Sequence, residues 1–216
     1  GEPTHYLVGH KEFYGRRFTV DARVLIPRSE TELLVEAALQ VIPKDAPARV
    51  LDLCTGSGCI AISIAAERPQ ASVWAVDVSP DALAVARLNA EKLGVDGRVT
   101  FFEGDLFAPV PAEAKFDVIV SNPPYVKRGE LATLQREVQA EPKLALDGGV
   151  DGLDLVKRVI DGAMPRLKPG ALLALEIGED QGVAVKELLT RAGGHDARIE
   201  KDLARHDRIA LTQKEK

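Results

Sequence analysis

The sequence predicts an α/β protein: a mostly parallel seven-stranded sheet with an antiparallel edge strand, preceded by a β-hairpin. Three observations predict this fold. From residue 49 onward, short apolar runs alternate with amphipathic stretches, as in β-α units around a parallel sheet. Residues 195–212 read as two consecutive strands that can close the sheet with an antiparallel edge. Residues 11–26 alternate apolar and polar side chains around Gly15, which indicates the hairpin.

The hairpin and a following helix are the first predicted elements. The segment Gly15-Arg16-Arg17 is the predicted turn, and a helix is predicted over about residues 30–41. Ser29 is its candidate N-cap, and Glu32, three residues on, completes a capping-box pattern. We assign residues 1–45 to this hairpin and linker helix, and residues 46–216 to the main domain.

The main domain alternates strands and helices along the chain. Strands are predicted at residues 49–54, 72–77, 98–103, 116–121 and 171–177, and helices at residues 59–67, about 80–92, 153–166 and about 181–192. Ser79 and Pro80 are typical of a helix start and Gly94 of a helix end. Gly193-Gly194 ends the last helix, and residues 205–207 lie near the turn between the final strands.

One connection is long enough to indicate a functional loop. About 27 residues separate Tyr125 from the helix near Leu153, whereas strand-to-helix loops usually have 2–6 residues. Residues 130–139 could form a short helix within it, and Gly148-Gly149 and Gly152 indicate unusual backbone angles near its end. We expect this connection to cover a site.

Composition indicates an ordinary globular protein with one substantial core. At 216 residues the chain can bury roughly 70% of the surface that its unfolded form exposes. Apolar residues make up 45%, and no apolar stretch approaches the ~20 residues that cross a bilayer. The first residues lack the features of a signal peptide. We expect no membrane span and a cytoplasmic protein.

The cysteines and histidines indicate neither a disulfide framework nor a metal site. Cys54 and Cys59 flank a glycine loop rather than joining distant segments, and small buried thiols in a reducing compartment are the simplest interpretation. The histidines are scattered, with no helical pair and no cysteine at ligand spacing. We expect no metal.

A glycine loop after the first predicted strand indicates a cofactor site. Glycines let a ligand approach the backbone, and the following helix offers free N–H groups at its amino terminus. Asp77 ends the second strand about 20 residues downstream, the spacing at which a carboxylate receives ribose hydroxyls. Asp105 and Leu106 follow the third strand and add a carboxylate and an apolar wall. The predicted cofactor residues of the loop are Cys54, Thr55, Gly56, Ser57 and Gly58.

The loop alone leaves a dinucleotide open as the cofactor. Gly56, Gly58 and Ala61 satisfy the G-x-G-x-x-G/A fingerprint of NAD enzymes, with Asp77 as the acid. A hydride donor would need room for nicotinamide beside an acid or base at the fourth strand end. The chain instead has Asn122-Pro123-Pro124-Tyr125 there, which counts against NAD.

These four residues indicate a site for a flat group that carries an NH2. The Asn122 side-chain oxygen and the Pro123 carbonyl can accept both N–H bonds of such a group, and Tyr125 can pack on its face. An amide nitrogen is a poor nucleophile, because its conjugation gives the C–N bond a rotation barrier of ~18–20 kcal/mol. Holding both hydrogens favours a more pyramidal nitrogen beside a methyl donor. S-adenosylmethionine is therefore the expected cofactor, with Asn122 also close to it.

The chain resembles the protein-(glutamine-N5) methyltransferases of peptide chain release factors, the HemK or PrmC family. The resemblance implies a Rossmann-like class I S-adenosylmethionine-dependent methyltransferase, whose substrate is the glutamine of a Gly-Gly-Gln tripeptide. Matching segments include Gly1-Glu2-Pro3, Tyr6-Leu7-Val8-Gly9, Glu12-Phe13-Tyr14-Gly15, Leu25-Ile26-Pro27-Arg28-Ser29-Glu30-Thr31-Glu32, Leu51-Asp52-Leu53-Cys54-Thr55-Gly56-Ser57-Gly58, Ser121-Asn122-Pro123-Pro124-Tyr125, Glu141-Pro142, Ala145-Leu146, Gly148-Gly149 and Asp151-Gly152-Leu153.

By position, the resemblance assigns roles to residues of this chain. Residues 54–58 bind the methionine part of the cofactor, Asp77 its ribose, and Asp105-Leu106 its adenine side. Asn122, Pro123, Pro124 and Tyr125 grip the glutamine, and Asn122, Pro123 and Tyr125 are the expected catalytic residues. Apart from the resemblance, the residues themselves leave two interpretations of Arg28, Glu30 and Glu32 open: a helix cap with solvated charges, or a lining of the substrate entrance.

Three departures from the family pattern bear on activity. Cys54 stands where the family usually has Gly, and Ser29 where it usually has Pro. Both are small, so we expect binding to survive. The family's amino-terminal helical substrate-binding domain has no counterpart in this sequence, and we expect weaker catalysis on a whole release factor.

Two alternatives stay open from the sequence. N-P-P-Y also occurs in adenine-N6 DNA methyltransferases, so a DNA or RNA amino-group methyltransferase is one. A cofactor-binding regulatory module without transfer activity is the other. A net charge of −5 disfavours direct nucleic-acid binding. We expect a monomer that acts on release factors.

Overall fold

The computed structural model describes residues 1–216 as nine strands and seven helices. The helices are α1 (Thr4–Val8), α2 (Glu32–Val41), α3 (Cys59–Glu67), α4 (Pro80–Lys92), α5 (Arg136–Gln139), α6 (Asp154–Ala163) and α7 (Gly182–Arg191). The strands are β1 (His10–Phe13), β2 (Arg16–Thr19), β3 (Ala48–Leu53), β4 (Ala71–Asp77), β5 (Val99–Glu103), β6 (Phe116–Ser121), β7 (Leu167–Glu176), β8 (Gly194–Lys201) and β9 (Asp207–Lys214). No helix is long and apolar enough to span a bilayer.

Seven strands form one sheet in the order β5-β4-β3-β6-β7-β9-β8. The pairs among β3 to β7 are parallel, and β9 runs antiparallel to both β7 and β8. The predicted fold class is therefore confirmed. The chain passes from β3 to β4 on one side and later returns to β6 on the other, so the strand order reverses between β3 and β6. In open α/β sheets ligands bind outside the carboxyl ends of strands at such a switch point.

The strands are apolar because helices cover both faces of the sheet. Alternate residues of each strand point to opposite faces. Val50 and Val118 therefore join a core with α2, α3 and α4. Leu51 and Ile119 join the opposite core with α6 and α7. This burial accounts for the continuous apolar runs in the sequence.

The amino-terminal hairpin is confirmed but is shorter than predicted. Only residues 10–19 form its strands, with the turn at Tyr14-Gly15, where both residues have positive φ. Phe13 and Phe18 pack edge-to-face across it, with ring centroids 5.9 Å apart, and both belong to the core that contains α2. Residues 20–26 lead away as irregular chain. The division of domains at residue 45 stays a prediction.

The predicted capping box at Ser29 and Glu32 is wrong. Ser29 to Thr31 form a 3₁₀ turn, α2 begins at Glu32, and neither start has a side-chain cap. The Glu32 carboxylate instead accepts a hydrogen bond from the backbone N–H of Tyr14 at 2.8 Å. The Glu32 carboxylate, which the local pattern assigned to a helix cap, thus binds the hairpin instead.

The other predicted elements lie close to their observed bounds. Ser79 caps α4 by accepting from the Ala82 N–H at 3.1 Å, with Pro80 in the first turn, and Gly94 after its end has a φ of +68°. In the long connection, the single short helix predicted over 130–139 is split into a 3₁₀ turn at Arg128–Thr133 and α5.

Candidate active site

A cavity of about 970 Å³, counting the open space at its mouth, lies at the carboxyl ends of β3, β4, β5 and β6. We call it the strand-end cavity. Because the strands are parallel and in register, with Leu53 paired to both Val76 and Ser121, the residues that follow each strand meet here. The predicted site residues that line it are Arg28, Cys54, Thr55, Gly56, Ser57, Asp77, Asp105, Leu106, Asn122 and Pro124.

The glycine loop forms one wall through backbone angles that most residues avoid. Cys54 has a φ of +59° and Gly56 a φ of +54°, both in the left-handed region. Cys54 therefore adopts a conformation that glycine would adopt at less cost. Gly58 has a φ of +81°, and an added Cβ there would lie 2.8 Å from Ile62 Cδ1. Gly58 thus lets α3 begin against the loop but does not line the cavity.

Asp77 ties the loop to the end of β4. Its Oδ2 accepts the N–H of Gly56 at 2.8 Å, and its Oδ1 accepts the N–H of Ser79 at 2.9 Å. Burial raises the pKa of this carboxyl, against the lowering effect of these hydrogen bonds. A carboxylate offers about four acceptor sites, so two remain for ligand hydroxyls.

Asp52 is a buried acid beneath the loop that the sequence analysis missed. Its Oδ2 accepts the Thr55 hydroxyl at 2.6 Å and the Ala61 N–H at 3.2 Å, whereas its Oδ1 has no partner. Burial raises the pKa of this carboxyl to about 7. The signal in the sequence is a lone acid within the apolar run of residues 50–53.

Asp105 and Leu106 follow β5 and line the opposite side of the cavity. Leu106 is buried with a φ of +50°, which turns the chain back over the site. Asp105 is exposed and pairs with Arg158 of α6 at 2.7 Å. This ion pair connects α6 to the cavity wall.

Asn122 presents its side chain to the cavity at the end of β6. Its Nδ2 donates to the Thr31 hydroxyl at 3.3 Å. Neither its Oδ1 nor the carbonyl oxygen of Pro123 accepts a hydrogen bond from within the chain. The Asn122 Oδ1, on a residue that lines the cavity, is therefore available to a ligand, and the Pro123 carbonyl is a second acceptor without a partner in the chain.

Four predicted residues do not line the strand-end cavity: Gly58, Pro123, Tyr125 and Glu30. Pro123 is buried, and Glu30 is exposed. The Tyr125 hydroxyl donates to Glu176 at 3.1 Å, and burial raises its pKa. The catalytic and binding roles of these residues stay predictions.

Thr31 and Glu176 are further residues that the sequence analysis missed. Glu176 ends β7 and accepts the Thr31 hydroxyl at 2.6 Å, and both residues are buried. The signal for Glu176 was an acid near the end of the apolar run 171–177, in the strand beside β6, which Asn122 directly follows.

The long connection packs against the back of residues 124 and 125. A Cβ added to Gly148 would lie 2.7 Å from the Tyr125 Cα, and one added to Gly152 would lie 2.4 Å from the Tyr125 carbonyl oxygen. Gln181 donates to that same carbonyl at 3.0 Å. The expectation that this connection covers the site is supported by Leu144 and Ala145, which line the cavity.

Comparisons with known proteins agree with this geometry. A family model described as "Methyltransferase small domain" matches residues 29–156. The release factor glutamine methyltransferase of Moorella thermoacetica is 47% identical over 98% of this chain and 75% of its own length. The protein of that name from Neisseria gonorrhoeae is 48% identical over 98% of this chain and 76% of its own. A crystal structure of a methyltransferase from Pyrococcus furiosus shares the fold, with a TM-score of 0.68 at 18% identity over 94% of this chain and 91% of that one. On this extent and level of identity, the chain belongs to the release factor glutamine methyltransferases.

Proposed function

We propose that this protein methylates the side-chain amide nitrogen of the Gly-Gly-Gln glutamine in peptide chain release factors, with S-adenosylmethionine as the methyl donor. Family membership supports the reaction. The observation that carries the proposal is the unused Asn122 Oδ1, on a residue that lines a cavity of cofactor size. The Pro123 carbonyl, next in the chain, is a second acceptor with no partner within the chain, although Pro123 does not itself line the cavity. A carboxamide NH2 offers two donors to these two acceptors.

The residues around the strand-end cavity fit the cofactor. Asp77 keeps acceptor sites for two ribose hydroxyls after its two backbone bonds. Leu106, Val78 and Leu155 offer an apolar surface to the adenine. Asp77, whose partners are backbone N–H groups and no cationic side chain, favours a ligand that carries positive charge on its sulfonium and ammonium groups.

The residues of this chain have to make an unreactive amide nucleophilic. When bound, S-adenosylmethionine would supply a methyl group whose carbon the nitrogen lone pair attacks, while the bond to the positively charged sulfur breaks and the sulfur leaves as a neutral thioether. Asn122 and Pro123 hold the two amide hydrogens, so that the lone pair is directed away from them and toward the cavity. Their oxygens also stabilise positive charge that develops on the nitrogen. One N–H proton becomes acidic and leaves to water, so no strong base is required.

The alternative, an amino-group methyltransferase of DNA or RNA, uses the same type of acceptor pair. Relatives at 47% and 48% identity are named for release factor glutamine instead. The net charge of −5 also disfavours a nucleic-acid substrate. We therefore rank the protein substrate first.

We also propose that the protein acts as a monomer in the cytoplasm and binds no nucleic acid directly. Both cysteines are free thiols, which suits a reducing compartment. Light scattering across a range of concentrations tests the monomer, and a mass that rises with concentration contradicts it.

Mass spectrometry tests the reaction. The chain is incubated with S-adenosylmethionine carrying a deuterated methyl group, together with a release factor, a variant of that factor whose Gly-Gly-Gln glutamine is changed to alanine, duplex DNA or tRNA. We expect one labelled methyl group on the glutamine of the unmodified factor alone, and loss of labelling with Asn122→Ala. Label on DNA or tRNA, or cofactor binding without any transfer, would overturn the proposal.

A further inference from the structure

A continuous series of hydrogen bonds joins Asn122 and Thr31, which line the strand-end cavity, to Glu176 behind it. Glu176 Oε2 accepts the Thr31 hydroxyl at 2.6 Å, and Thr31 Oγ1 accepts Asn122 Nδ2 at 3.3 Å. Glu176 is 1% exposed and Thr31 is 2% exposed, so water does not compete for these bonds. Glu176 ends β7, Thr31 ends the 3₁₀ turn before α2, and Asn122 directly follows β6.

The direction of each bond in this series is fixed by Glu176. Both oxygens of Glu176 accept from hydroxyls, Oε2 from Thr31 and Oε1 from Tyr125, so the single hydrogen of the Thr31 hydroxyl is committed to Glu176. Burial raises the pKa of the Glu176 carboxyl, and these two hydrogen bonds oppose that rise. The Thr31 oxygen then has only lone pairs to offer Asn122. The Asn122 side chain must therefore turn its NH2 toward Thr31, and its oxygen is left facing away from Thr31.

This direction matters because the two ends of an asparagine amide have nearly the same shape. Packing alone does not distinguish the oxygen from the nitrogen, and hydrogen bonds decide which way the group points. A flipped Asn122 would present its own N–H groups to the N–H groups of a substrate amide. Two donors facing each other repel, so the flipped form would not hold the substrate.

We infer that Glu176 is a positioning residue that acts through Thr31 to keep the Asn122 side-chain oxygen directed at the substrate amide. This inference rests on the proposed function for its catalytic consequence. The orientation itself depends only on the three residues. Glu176 does not line the cavity and is not a catalytic residue.

The Tyr125 hydroxyl gives Glu176 a second partner. It donates to Oε1 at 3.1 Å, so each oxygen of the carboxylate is engaged by a different hydroxyl. The side chain of Glu176 is therefore held at both oxygens, and its rotation cannot release Thr31 without breaking the bond to Tyr125 as well.

Glu176→Gln tests the inference, because it preserves shape and lets the side chain donate as well as accept. We expect kcat for release-factor methylation to fall by roughly 10- to 100-fold, the typical effect of losing one oriented polar contact. The Kd for S-adenosylmethionine should stay within about twofold. Glu187→Gln makes the same chemical change on the exposed face of α7 and serves as the control. An unchanged kcat in a folded Glu176→Gln protein would overturn the inference.

If the Glu176→Gln protein does not fold, two substitutions at Thr31 test the same connection to Asn122. Thr31→Val removes the hydroxyl and should lower kcat as Glu176→Gln does. Thr31→Ser keeps the hydroxyl and should restore most of the activity. Both changes act through Asn122. The kcat of the double variant Glu176→Gln/Thr31→Val should therefore be no lower than that of the less active single variant. Equal activity of Thr31→Val and Thr31→Ser, or fully multiplicative losses, would contradict the inference.

Nuclear magnetic resonance gives a readout that does not depend on activity. The side-chain NH2 signals of Asn122 are assigned by their loss in Asn122→Asp. We expect them to shift in Glu176→Gln and Thr31→Val and to stay near their positions in Thr31→Ser. Shifts in a protein that methylates no release factor would overturn the proposed function and leave the orientation supported. Signals that do not move in either variant would overturn the orientation.

Discussion

Arg28 and Glu141 form an ion pair, with 2.5 Å between Nη2 and Oε1, that joins the segment before α2 to the long connection after β6. Glu141 is buried, and its Oε2 also accepts the backbone N–H of Ile26 at 2.9 Å. Both joined segments line the strand-end cavity, through Leu25 and Pro27 on one side and Leu144 on the other. One carboxylate thus fastens two walls of the site.

Glu141→Gln should loosen these walls. Glutamine can accept from the Ile26 N–H but loses the charge that pairs with Arg28. Since hydrogen bonds to charged groups contribute about 1.5–3 kcal/mol, we expect the free energy of unfolding to fall by a comparable amount, measured by urea denaturation. The Kd for S-adenosylmethionine should also rise. Glu137→Gln, at an exposed position in the same connection, is the control, and equal effects at both positions would contradict the role of Glu141.

Gly148→Ala should displace the backbone of Pro124 and Tyr125. The new Cβ would lie 2.7 Å from the Tyr125 Cα and 2.8 Å from the Pro124 carbonyl oxygen, so backbone has to move. Overpacking of this kind costs about 1–3 kcal/mol. We expect a loss of stability of that order and a larger loss in kcat than in cofactor affinity, because the displaced residues adjoin Asn122.

Gly129→Ala is the matched control for Gly148→Ala. Gly129 lies in the same connection with open space where a Cβ would be. Neither glycine has a positive φ, so alanine is acceptable to both backbones. The comparison therefore isolates the steric effect. If Gly129→Ala impairs kcat as strongly, the close packing behind Tyr125 does not explain the loss.

The position of the site at one sheet edge was predictable from the sequence. Apolar runs followed by Cys54, Asp77 and Asn122 indicated parallel strands, and the carboxyl ends of parallel strands meet at one edge. This prediction needed only the local pattern of apolar and polar residues and the geometry of β-α units. That is why the glycine loop and Asn122 were both expected at the same end of the sheet, where they line one cavity.

The contacts that orient the site were not predictable from local pattern. Thr31 and Glu176 are 145 residues apart in the chain, and Arg28 and Glu141 are 113 apart. Pairing over such distances depends on how strands and loops come together. At Glu32 the local pattern predicted a capping box that does not form, because the carboxylate accepts the distant Tyr14 N–H instead.

Asp77→Asn should weaken cofactor binding more than it weakens the fold. The amide keeps one acceptor for the N–H groups of Gly56 and Ser79, and it loses both the charge and acceptor sites for ribose hydroxyls. Losing hydrogen bonds to a charged group costs about 1.5–3 kcal/mol, so calorimetry should show a Kd for S-adenosylmethionine raised by roughly 10- to 100-fold. Asp117→Asn, near the amino end of β6, is the control. An unchanged Kd in Asp77→Asn would remove Asp77 from the cofactor site.

Asp52 should make the fold less stable as pH rises. Burial raises its pKa from 3.8 to about 7, so between these values the folded protein binds a proton that the unfolded chain has released. The bound proton therefore stabilises the folded protein. This stabilisation is fully present below pH 3.8 and is lost as pH rises through about 7. The size of this contribution is on the order of a few kcal/mol, because each pH unit is worth about 1.4 kcal/mol.

Asp52→Asn removes the titrating group while keeping an oxygen for the Thr55 hydroxyl and the Ala61 N–H. Its stability relative to the unsubstituted protein should therefore improve from pH 4 to about pH 7 and then level off, as measured by urea denaturation at each pH from 4 to 8. Asp161→Asn, on the exposed face of α6, should show no such trend. A constant difference between Asp52→Asn and the unsubstituted protein across this range would mean that Asp52 is ionised in the folded protein throughout. The glycine loop would then rest on a buried charge held by the hydrogen bonds from Thr55 and Ala61.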